Sequence, residues 1–283
     1  MGSDLSNQKI AFIGAGNMAA ALIRGLVKSG AAQPGQVIAA DPSPEQLARL
    51  AAEFGVATTA DNAAAARSAD LVVLAVKPQV MDKVLAGLAP AIGATQLVVS
   101  IAAGVPIAAI AARLGPDARI VRAMPNSPAL IAEGATALAA GANADEADLF
   151  LARALFDAVG VTVTVGEPLL DAVTGLSGSG PAYAFLIIEA LADAGVAMGL
   201  PRQSALQLTV QTILGSARML QETGLHPAQL RDQVTSPGGT TSAGLHALEA
   251  GRLRATLSDA VERATEKSRE LGRAQTAPTA PKA

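Results

Sequence analysis

Near its start the chain reads Ile10-Ala11-Phe12-Ile13-Gly14-Ala15-Gly16-Asn17-Met18-Ala19. The apolar run predicts a buried strand, and the Gly-x-Gly-x-x-Ala pattern predicts a tight turn into a helix. The first glycine permits the turn, the second lets a pyrophosphate approach the backbone, and the small Ala19 lets helix and strand pack closely. Backbone N–H groups and the positive dipole end at the helix start favour a phosphate. The stretch therefore predicts dinucleotide binding, with a purely structural glycine turn as the alternative.

Residues up to 166 continue this alternation of strand and helix. Short apolar runs that do not alternate with polar residues are typical of strands buried on both faces of a parallel sheet. We predict strands at Lys9–Gly14, Gln36–Asp41, Val56–Thr58, Leu71–Ala75, Leu97–Ile101, Arg119–Met124, Thr136–Ala140 and Val161–Val165. Helices are predicted to begin near Asn17, Pro44, Asn62, Pro78 and Pro106, with Asp61 or Asn62 as a cap and a further helix over Asp145–Val159. Residues 1–166 are thus predicted to form a Rossmann-type α/β domain with a doubly wound, mostly parallel sheet.

Beyond Gly166 the chain carries no further strand-like run. Long helical patterns occur instead at Pro181–Met198, Arg202–Thr223, Pro227–Val234, Thr241–Ala250 and Leu253–Leu271. We predict an all-helical domain over residues 167–273 and a disordered, Pro- and Ala-rich tail over residues 274–283.

The first of these helical patterns is apolar on nearly every side. Over Pro181–Met198 charge occurs only at Glu189 and Asp193. A helix that is apolar all round must be buried. We expect a partner subunit to bury it in an obligate homodimer, with coverage by neighbouring helices of the same chain as the alternative.

Composition excludes several classes of function. The chain has 283 residues, 51% of them hydrophobic, a mean hydropathy of +0.38 and a net charge of -3. This excludes bulk disorder and gives no overall attraction for nucleic acid or an anionic membrane. Cysteine is absent and there are 2 histidines, so we expect no thiol chemistry and no metal site. The most membrane-like stretch, residues 84–112, is interrupted by Pro90, Gly93 and Pro106, and a cytoplasmic protein without a membrane partner is expected.

Asp41 stands at the end of the second predicted strand. A carboxylate there accepts hydrogen bonds from the adenosine ribose and repels a 2′-phosphate, which favours NADH over NADPH. No arginine follows it directly, and Arg49 lies a helical turn or two further on. The alternative is that Asp41, which precedes Pro42, only stabilises a turn. Lys77, after the fourth strand, could similarly face the cofactor or be an ordinary solvated lysine.

Three segments combine small residues and hydroxyl groups with predicted helix starts. They are Val121-Arg122-Ala123-Met124-Pro125-Asn126-Ser127-Pro128, Thr174-Gly175-Leu176-Ser177-Gly178-Ser179-Gly180-Pro181-Ala182-Tyr183 and Val234-Thr235-Ser236-Pro237-Gly238-Gly239-Thr240-Thr241. Such segments can bind a carboxylate through backbone N–H groups without an arginine. The alternative for each segment is helix capping and turn formation.

Together these motifs resemble the pyrroline-5-carboxylate reductase family, over Lys9 to Leu271. The Ser-Gly-Ser-Gly-Pro-Ala-Tyr and Ser-Pro-Gly-Gly-Thr-Thr strings carry most of the resemblance. It implies a Rossmann domain followed by a helical dimerisation domain, with dimers often assembled into a decamer of five dimers. It also implies reduction of the imine 1-pyrroline-5-carboxylate to L-proline, the last step of proline biosynthesis, with NADPH or NADH.

The resemblance also implies roles for individual residues. Those expected to bind the cofactor are Ile13, Gly14, Ala15, Gly16, Asn17, Met18, Asp41, Asn62, Ala75, Val76, Lys77, Ile101, Ala102, Ala103 and Glu167. The substrate carboxylate is expected on the backbone of Ser236, Gly238, Gly239, Thr240 and Thr241, and Thr241 is the candidate catalytic hydroxyl for the ring nitrogen. The family often has serine or a similar small polar residue where this chain has Asp41, and some members have alanine at Thr240.

Two other functions are open to such a chain. A β-hydroxyacid dehydrogenase shares the layout, but it requires a lysine on the interdomain helix, and none occurs between Pro181 and Leu200. A non-catalytic dinucleotide-binding scaffold would not need the three small-residue segments. Hydride transfer to a C=N bond relies on the nicotinamide, so the lack of a catalytic histidine or cysteine is compatible with the reductase.

Overall fold

The computed structural model describes the backbone of residues 5–276 and the side chains through residue 273. The strands are β1 (Ile10–Ile13), β2 (Val37–Ala40), β3 (Ala57–Thr59), β4 (Leu71–Leu74), β5 (Leu97–Ser100), β6 (Arg119–Met124), β7 (Gly134–Ala140) and β8 (Gly160–Thr164). The helices are α1 (Asn17–Ser29), α2 (Pro44–Phe54), α3 (Asn62–Arg67), α4 (Pro78–Leu88), α5 (Ile107–Leu114), α6 (Glu146–Asp157), α7 (Leu170–Val173), α8 (Gly180–Ala197), α9 (Arg202–Thr223), α10 (Pro227–Gln233), α11 (Thr240–Ala250) and α12 (Leu253–Thr276). A π-helical turn, Thr174–Gly178, joins α7 to α8.

All eight strands belong to one sheet in the order β3-β2-β1-β4-β5-β6-β7-β8. The pairs from β3 to β6 are parallel, β7 is antiparallel to β6, and β8 is parallel to β7. The chain first adds β2 and β3 on one side of β1 and then crosses over to add β4, β5 and β6 on the other side. This change of direction opens a crevice at the carboxyl ends of β1 and β4. The predicted doubly wound, mostly parallel sheet followed by helices is confirmed.

Both faces of the sheet are covered, which explains why its central strands do not alternate apolar with polar residues. On β1, Ile10 and Phe12 belong to one hydrophobic cluster, and Ala11 and Ile13 to another. All four side chains are fully buried. Helices α1, α2 and α6 complete the first cluster, while α3, α4 and α5 complete the second. The carboxyl end of β1 is thereby held rigidly from both sides.

The chain divides into two compact units, and the division falls after the π-helical turn. One unit contains residues up to Ser179 together with residues from Arg263 onward, and the other is Gly180–Glu262. The segment after β8 stays with the sheet because Leu170 packs on Ala137 and Ala139 of β7. The sequence-based boundary at residue 166 lies two residues after the end of β8, and the division into domains at that point stays a prediction.

The predicted tail begins inside a helix. Helix α12 extends to Thr276 and so includes the first residues of the 274–283 stretch that the sequence predicts to be disordered. The rest of that stretch, residues 277–283, lies outside the described residues.

Helix α8 exposes most of its apolar side chains within the single chain. Ala192 is its buried residue, whereas Phe185 and Leu186 are 66% and 65% exposed. Neighbouring helices of the same chain therefore do not cover α8, and the alternative explanation for its burial is wrong. By length and composition alone, the helical run Glu167–Ala197 would also pass as a membrane span, and a single such run is weak evidence. The stretch 84–112, singled out above, instead forms parts of α4, β5 and α5.

Candidate functional site

The glycine-rich turn after β1 has the geometry that a pyrophosphate requires. Gly14 has a φ of +104°, and a Cβ on it would lie 2.6 Å from the carbonyl oxygen of Ala75. Gly16 is the N-cap of α1, and a Cβ there would meet nothing within 4 Å. Helix α1 has neither a side-chain cap nor an acidic residue in its first turn. Its first N–H groups therefore remain available to an anion.

Asp41 holds the end of β2 to this turn. Its Oδ2 accepts the N–H of Ala15 at 2.8 Å, and its Oδ1 accepts the N–H of Ser43 at 2.8 Å. The turn-stabilising role that the sequence left as an alternative is thus present. A carboxylate offers about four lone-pair sites, so this role leaves sites for a ribose hydroxyl.

An arginine also reaches the same turn. The Nη2 of Arg49, on α2, lies 3.4 Å from the carbonyl oxygen of Ala15. The sequence interpretation treated Arg49 as distant from Asp41, but the strand-to-helix turn brings both residues to Ala15. The adenosine end of the predicted cofactor site therefore carries one charge of each sign.

Two buried acceptors without partners lie on the helices that follow β2 and β3. They are Oδ1 of Asn62, the first residue of α3, and Oε1 of Gln46 on α2. Asp61, not Asn62, caps α3, because its Oδ1 accepts the N–H of Ala64 at 2.9 Å. A buried acceptor without a donor costs about 1–3 kcal/mol, and a bound ligand that supplies a donor removes this cost. Asn62 was expected in the cofactor site, whereas Gln46 was not, because glutamine on a helix surface carries no sequence signal.

The remaining predicted cofactor residues follow β4 and β5. Ala75 packs on the glycine turn, and Lys77 is the exposed N-cap of α4. The N–H of Ile101 bonds the carbonyl of Leu74 at 3.1 Å, which holds the segment Ile101–Ala103 beside the end of β4. Because β1, β4 and β5 are neighbours, the structure brings these segments to one edge of the sheet. The residue types and the open glycine turn fit a dinucleotide.

Glu167 lies behind that edge and binds protein groups. Its Oε1 accepts the N–H of Ile107, the first residue of α5, at 2.7 Å, and Nη1 of Arg122 on β6 at 3.2 Å. Helix α5 has no cap from its own N-cap residue, so Glu167 provides one from a distant part of the chain. Its expected contact with the cofactor stays a prediction.

The Ser-Pro-Gly-Gly-Thr-Thr string forms a tight turn before α11. Gly238 has a φ of +69°, and a Cβ on Gly239 would fall 2.3 Å from Oγ of Ser236. The N–H of Gly239 bonds the carbonyl of Ser236 at 3.0 Å. Gly239 is the N-cap of α11, which has no side-chain cap and no acidic residue in its first turn. This turn therefore presents backbone N–H groups to an anion.

Thr241 is the second residue of α11, which begins one residue earlier than predicted. Its side chain is half-buried, and its hydroxyl makes no hydrogen bond with any residue that the structure describes. The alternative that Thr241 caps the helix is wrong, because Gly239 occupies the N-cap position. The hydroxyl is left available to a ligand.

The other two small-residue segments bind each other. Nδ2 of Asn126 donates to the carbonyl of Ser177 at 3.0 Å, and Oδ1 of Asn126 accepts the N–H of Ala135 at 2.8 Å. A Cβ on Gly178 would come within 2.9 Å of Cε of Met124. The side chain of Asn126 thus holds the π-helical turn to the end of β6.

Comparison with known proteins identifies the family. The chain is 49% identical over 269 residues to the pyrroline-5-carboxylate reductase of Methanosarcina acetivorans, covering 95% of this chain and 100% of that protein. This chain belongs to the pyrroline-5-carboxylate reductase family. The family model for pyrroline-5-carboxylate reductase dimerisation matches residues 167–271, and one for NADP oxidoreductase, coenzyme F420-dependent, matches residues 9–104.

Solved structures of pyrroline-5-carboxylate reductases have the same fold. The Coxiella burnetii protein has a TM-score of 0.90 at 42% identity and covers 94% of this chain and 99% of its own. The Plasmodium falciparum protein, solved with NADP bound, has a TM-score of 0.84 at 34% identity with the same two coverages, 94% and 99%. The family resemblance inferred from the motifs is confirmed, and with it an NAD(P)H-linked oxidoreductase that acts on a small molecule and forms a homo-oligomer.

The ion pair behind the cofactor edge gives a first prediction. Replacing Glu167 by Gln should lower the free energy of unfolding by about 1–3 kcal/mol, because the Arg122 guanidinium, 7% exposed, would lose its counter-ion. Urea denaturation monitored by circular dichroism measures this change. Glu53→Gln is the matched control, since Glu53 pairs with Arg24 on the surface and should cost less than about 0.5 kcal/mol. Equal losses in the two variants would contradict the prediction.

Proposed function

We propose that this protein reduces 1-pyrroline-5-carboxylate to L-proline with NAD(P)H. The observation that carries the proposal is that two helices, α1 and α11, begin at glycine N-caps without a side-chain cap. One supplies N–H donors for the cofactor pyrophosphate and the other for the substrate carboxylate. Bound NAD(P)H supplies the hydride for the imine carbon.

The remaining chemistry falls to the turn before α11. We assign the carboxylate to the N–H groups of Thr240 and Thr241 at the start of α11. Ser236, Gly238 and Gly239 form the turn around it, and the Gly239 N–H holds that turn through the Ser236 carbonyl. The Thr241 hydroxyl donates a hydrogen bond to the ring nitrogen; if the imine binds neutral, the hydroxyl gives its proton to that nitrogen and takes one back from a water molecule, so that hydride and proton together complete the amine. No strong acid is needed, since a cyclic imine is readily protonated in water. These roles are supported by the free hydroxyl and by the uncapped helix start.

An assay of NAD(P)H oxidation tests the proposal directly. We expect turnover with 1-pyrroline-5-carboxylate and none with a β-hydroxyacid plus the oxidised cofactor. Helix α8 contains no lysine, which opposes the β-hydroxyacid dehydrogenase alternative. Binding of the dinucleotide without any turnover would instead support the scaffold alternative.

The second prediction concerns cofactor preference. We expect NADH to be at least competitive with NADPH, because the Asp41 carboxylate at the adenosine end opposes a 2′-phosphate. Asp41→Ser should raise the ratio of kcat/KM for NADPH to that for NADH by about tenfold, which corresponds to about 1.4 kcal/mol. Steady-state kinetics with each cofactor measures the ratio.

The contacts of Asp41 determine the control for this experiment. Asp41→Asn keeps an oxygen acceptor for the Ala15 N–H while it removes the charge. The same shift in both variants would attribute the effect to charge. A strong NADPH preference in the wild-type enzyme would contradict the prediction and would favour Arg49, at 3.4 Å from Ala15, as the dominant charge.

We further propose an obligate homodimer, with five dimers forming a decamer, in the cytoplasm and without nucleic acid or membrane partners. The exposed apolar face of α8 supports the dimer, and the water-soluble substrate supports the location. Residues 1–166 would bind the dinucleotide, and residues 167–273 would carry dimerisation and the substrate turn. The fit of the dimerisation family model to residues 167–271 supports this division.

A further inference from the structure

A cavity of about 260 Å³ lies in the sheet-containing unit, apart from the glycine turn. Its walls include Arg122, Asp171, Arg269 and Arg273 together with Gly104 and Pro106. All these residues belong to one compact unit, whereas the Ser236–Thr241 turn belongs to the other. The space exceeds that of a few water molecules, at roughly 30 Å³ each, and suits a small metabolite.

The most informative wall residue is Arg122. Its side chain is 7% exposed, and within the described part of the chain it makes one hydrogen bond, from Nη1 to Oε1 of Glu167. That oxygen already accepts the N–H of Ile107 at 2.7 Å. A guanidinium carries five N–H donors, and burying it with a single shared acceptor is unfavourable.

The donors of Arg122 that Glu167 does not use are not fully enclosed by protein. Its nitrogens are not among the enclosed polar atoms that lack a partner, so they retain accessible surface, and Arg122 lines the cavity wall. Glu167 supplies one acceptor, and the remaining N–H groups of Arg122 have none among the described residues. An anion in the cavity would provide it.

The other charged groups in the wall favour the same sign of ligand. Arg269 and Arg273 add two guanidinium groups from the end of α12. Arg269 makes no ion pair or hydrogen bond with a described residue. The one carboxylate in the wall, Asp171, already accepts a hydrogen bond from Oγ of Ser268 at 2.6 Å. The wall thus carries three guanidinium groups and one carboxylate, and even with Glu167 beside Arg122 the net charge stays positive, which disfavours a cationic ligand.

We propose that this cavity is a second anion site, which binds a small molecule through a carboxylate or phosphate group. Arg122 at the floor and Arg269 at the rim bind its oxygens, because a guanidinium presents paired N–H donors to such groups. The cavity's lining shares no residue with the glycine turn or with the Ser236–Thr241 turn. Its occupancy does not depend on the proposed reaction.

The site adjoins the predicted cofactor edge. Gly104 follows directly on the segment Ile101–Ala103, and a Cβ on Gly104 would lie 3.5 Å from Cβ of Leu271 on α12. A ligand held between α12 and Gly104 therefore contacts the residue that directly follows the predicted cofactor segment Ile101–Ala103. This contact gives the anion a physical route to affect nicotinamide binding.

Isothermal titration of inorganic phosphate tests the proposal. The full-length protein is first saturated with NADH, so that the dinucleotide site is filled, and chloride keeps the ionic strength constant. We expect a saturable phosphate site whose Kd rises about tenfold in Arg269→Ala, which loses one charge-assisted contact, whereas any phosphate bound on the Ser236–Thr241 turn would bind equally well in that variant. Arg263→Ala is the matched control, because Arg263 is exposed on the same helix and outside the cavity wall. It should leave the Kd unchanged.

Further arms identify the ligand group and exclude other sites. Acetate, titrated in the same way, shows whether a carboxylate suffices or a tetrahedral oxyanion is required. Arg122→Gln should abolish binding, and if that variant does not fold, Arg269→Ala decides the matter. No saturable phosphate or acetate binding, or an equal Kd in the wild type and Arg269→Ala, would overturn the proposal.

Discussion

Replacing Leu186 by lysine should yield aggregated or unfolded protein rather than a stable monomer. Leu186 lies on α8 and is 65% exposed in the single chain, together with Phe185 at 66%. We expect a partner subunit to bury both, and each buried leucine or phenylalanine contributes about 1.5–3 kcal/mol. A symmetric dimer of the variant loses the contribution of the leucine twice, once in each subunit, and must also bury two lysine charges without partners. The loss is comparable to the whole stability of a typical domain, about 5–15 kcal/mol.

Light scattering and circular dichroism on the purified variant measure the outcome. Phe150→Lys is the matched control, because Phe150 is 52% exposed on α6 in the sheet-containing unit. We expect this control to keep the assembly and the helical content of the wild type. A folded, monodisperse monomer from Leu186→Lys would show that the helical unit folds without a partner, contrary to an obligate dimer.

The central strands of the sheet were predictable because burial on both faces leaves a local signal. Strand β6 matches its predicted bounds, Arg119–Met124, and the bounds of β1, β4 and β5 differ by a residue at one or both ends. Helix starts at Asn17 and Pro44 were equally clear, since a glycine turn and an N1 proline mark them. Each of these signals lies within a few residues of the element that it predicts.

Contacts between residues distant in sequence were not predictable in this way. No local pattern indicates that Glu167 caps α5 at Ile107 or that it pairs with Arg122. The Thr174–Gly178 segment reads as a glycine-rich loop, but it forms a π-helical turn that Asn126 holds through the carbonyl of Ser177. Such features depend on the packed sheet, so they appear only once the fold is known.

Replacing Thr241 by alanine should reduce kcat by about tenfold to a thousandfold, because it removes the hydroxyl that we assign to the ring nitrogen. The hydroxyl makes no hydrogen bond within the described residues, so its removal breaks no bond of the protein. The backbone N–H groups that we assign to the carboxylate remain, because Gly239 is the N-cap. The Kd for the dinucleotide should therefore stay at its wild-type value. The free energy of unfolding should change by less than about 0.5 kcal/mol.

Two further variants separate a role in proton transfer from a role in the turn. Thr241→Ser keeps the hydroxyl and should retain most of the wild-type kcat. Thr240→Ala removes the neighbouring hydroxyl from the first residue of the same helix and should leave kcat within about twofold, since only its backbone is assigned a role. Steady-state kinetics with 1-pyrroline-5-carboxylate and thermal melts on the same preparations provide both readouts. Equal losses of kcat in Thr240→Ala and Thr241→Ala would attribute the effect to the shape of the turn, and unchanged turnover in Thr241→Ala would exclude its hydroxyl from the reaction.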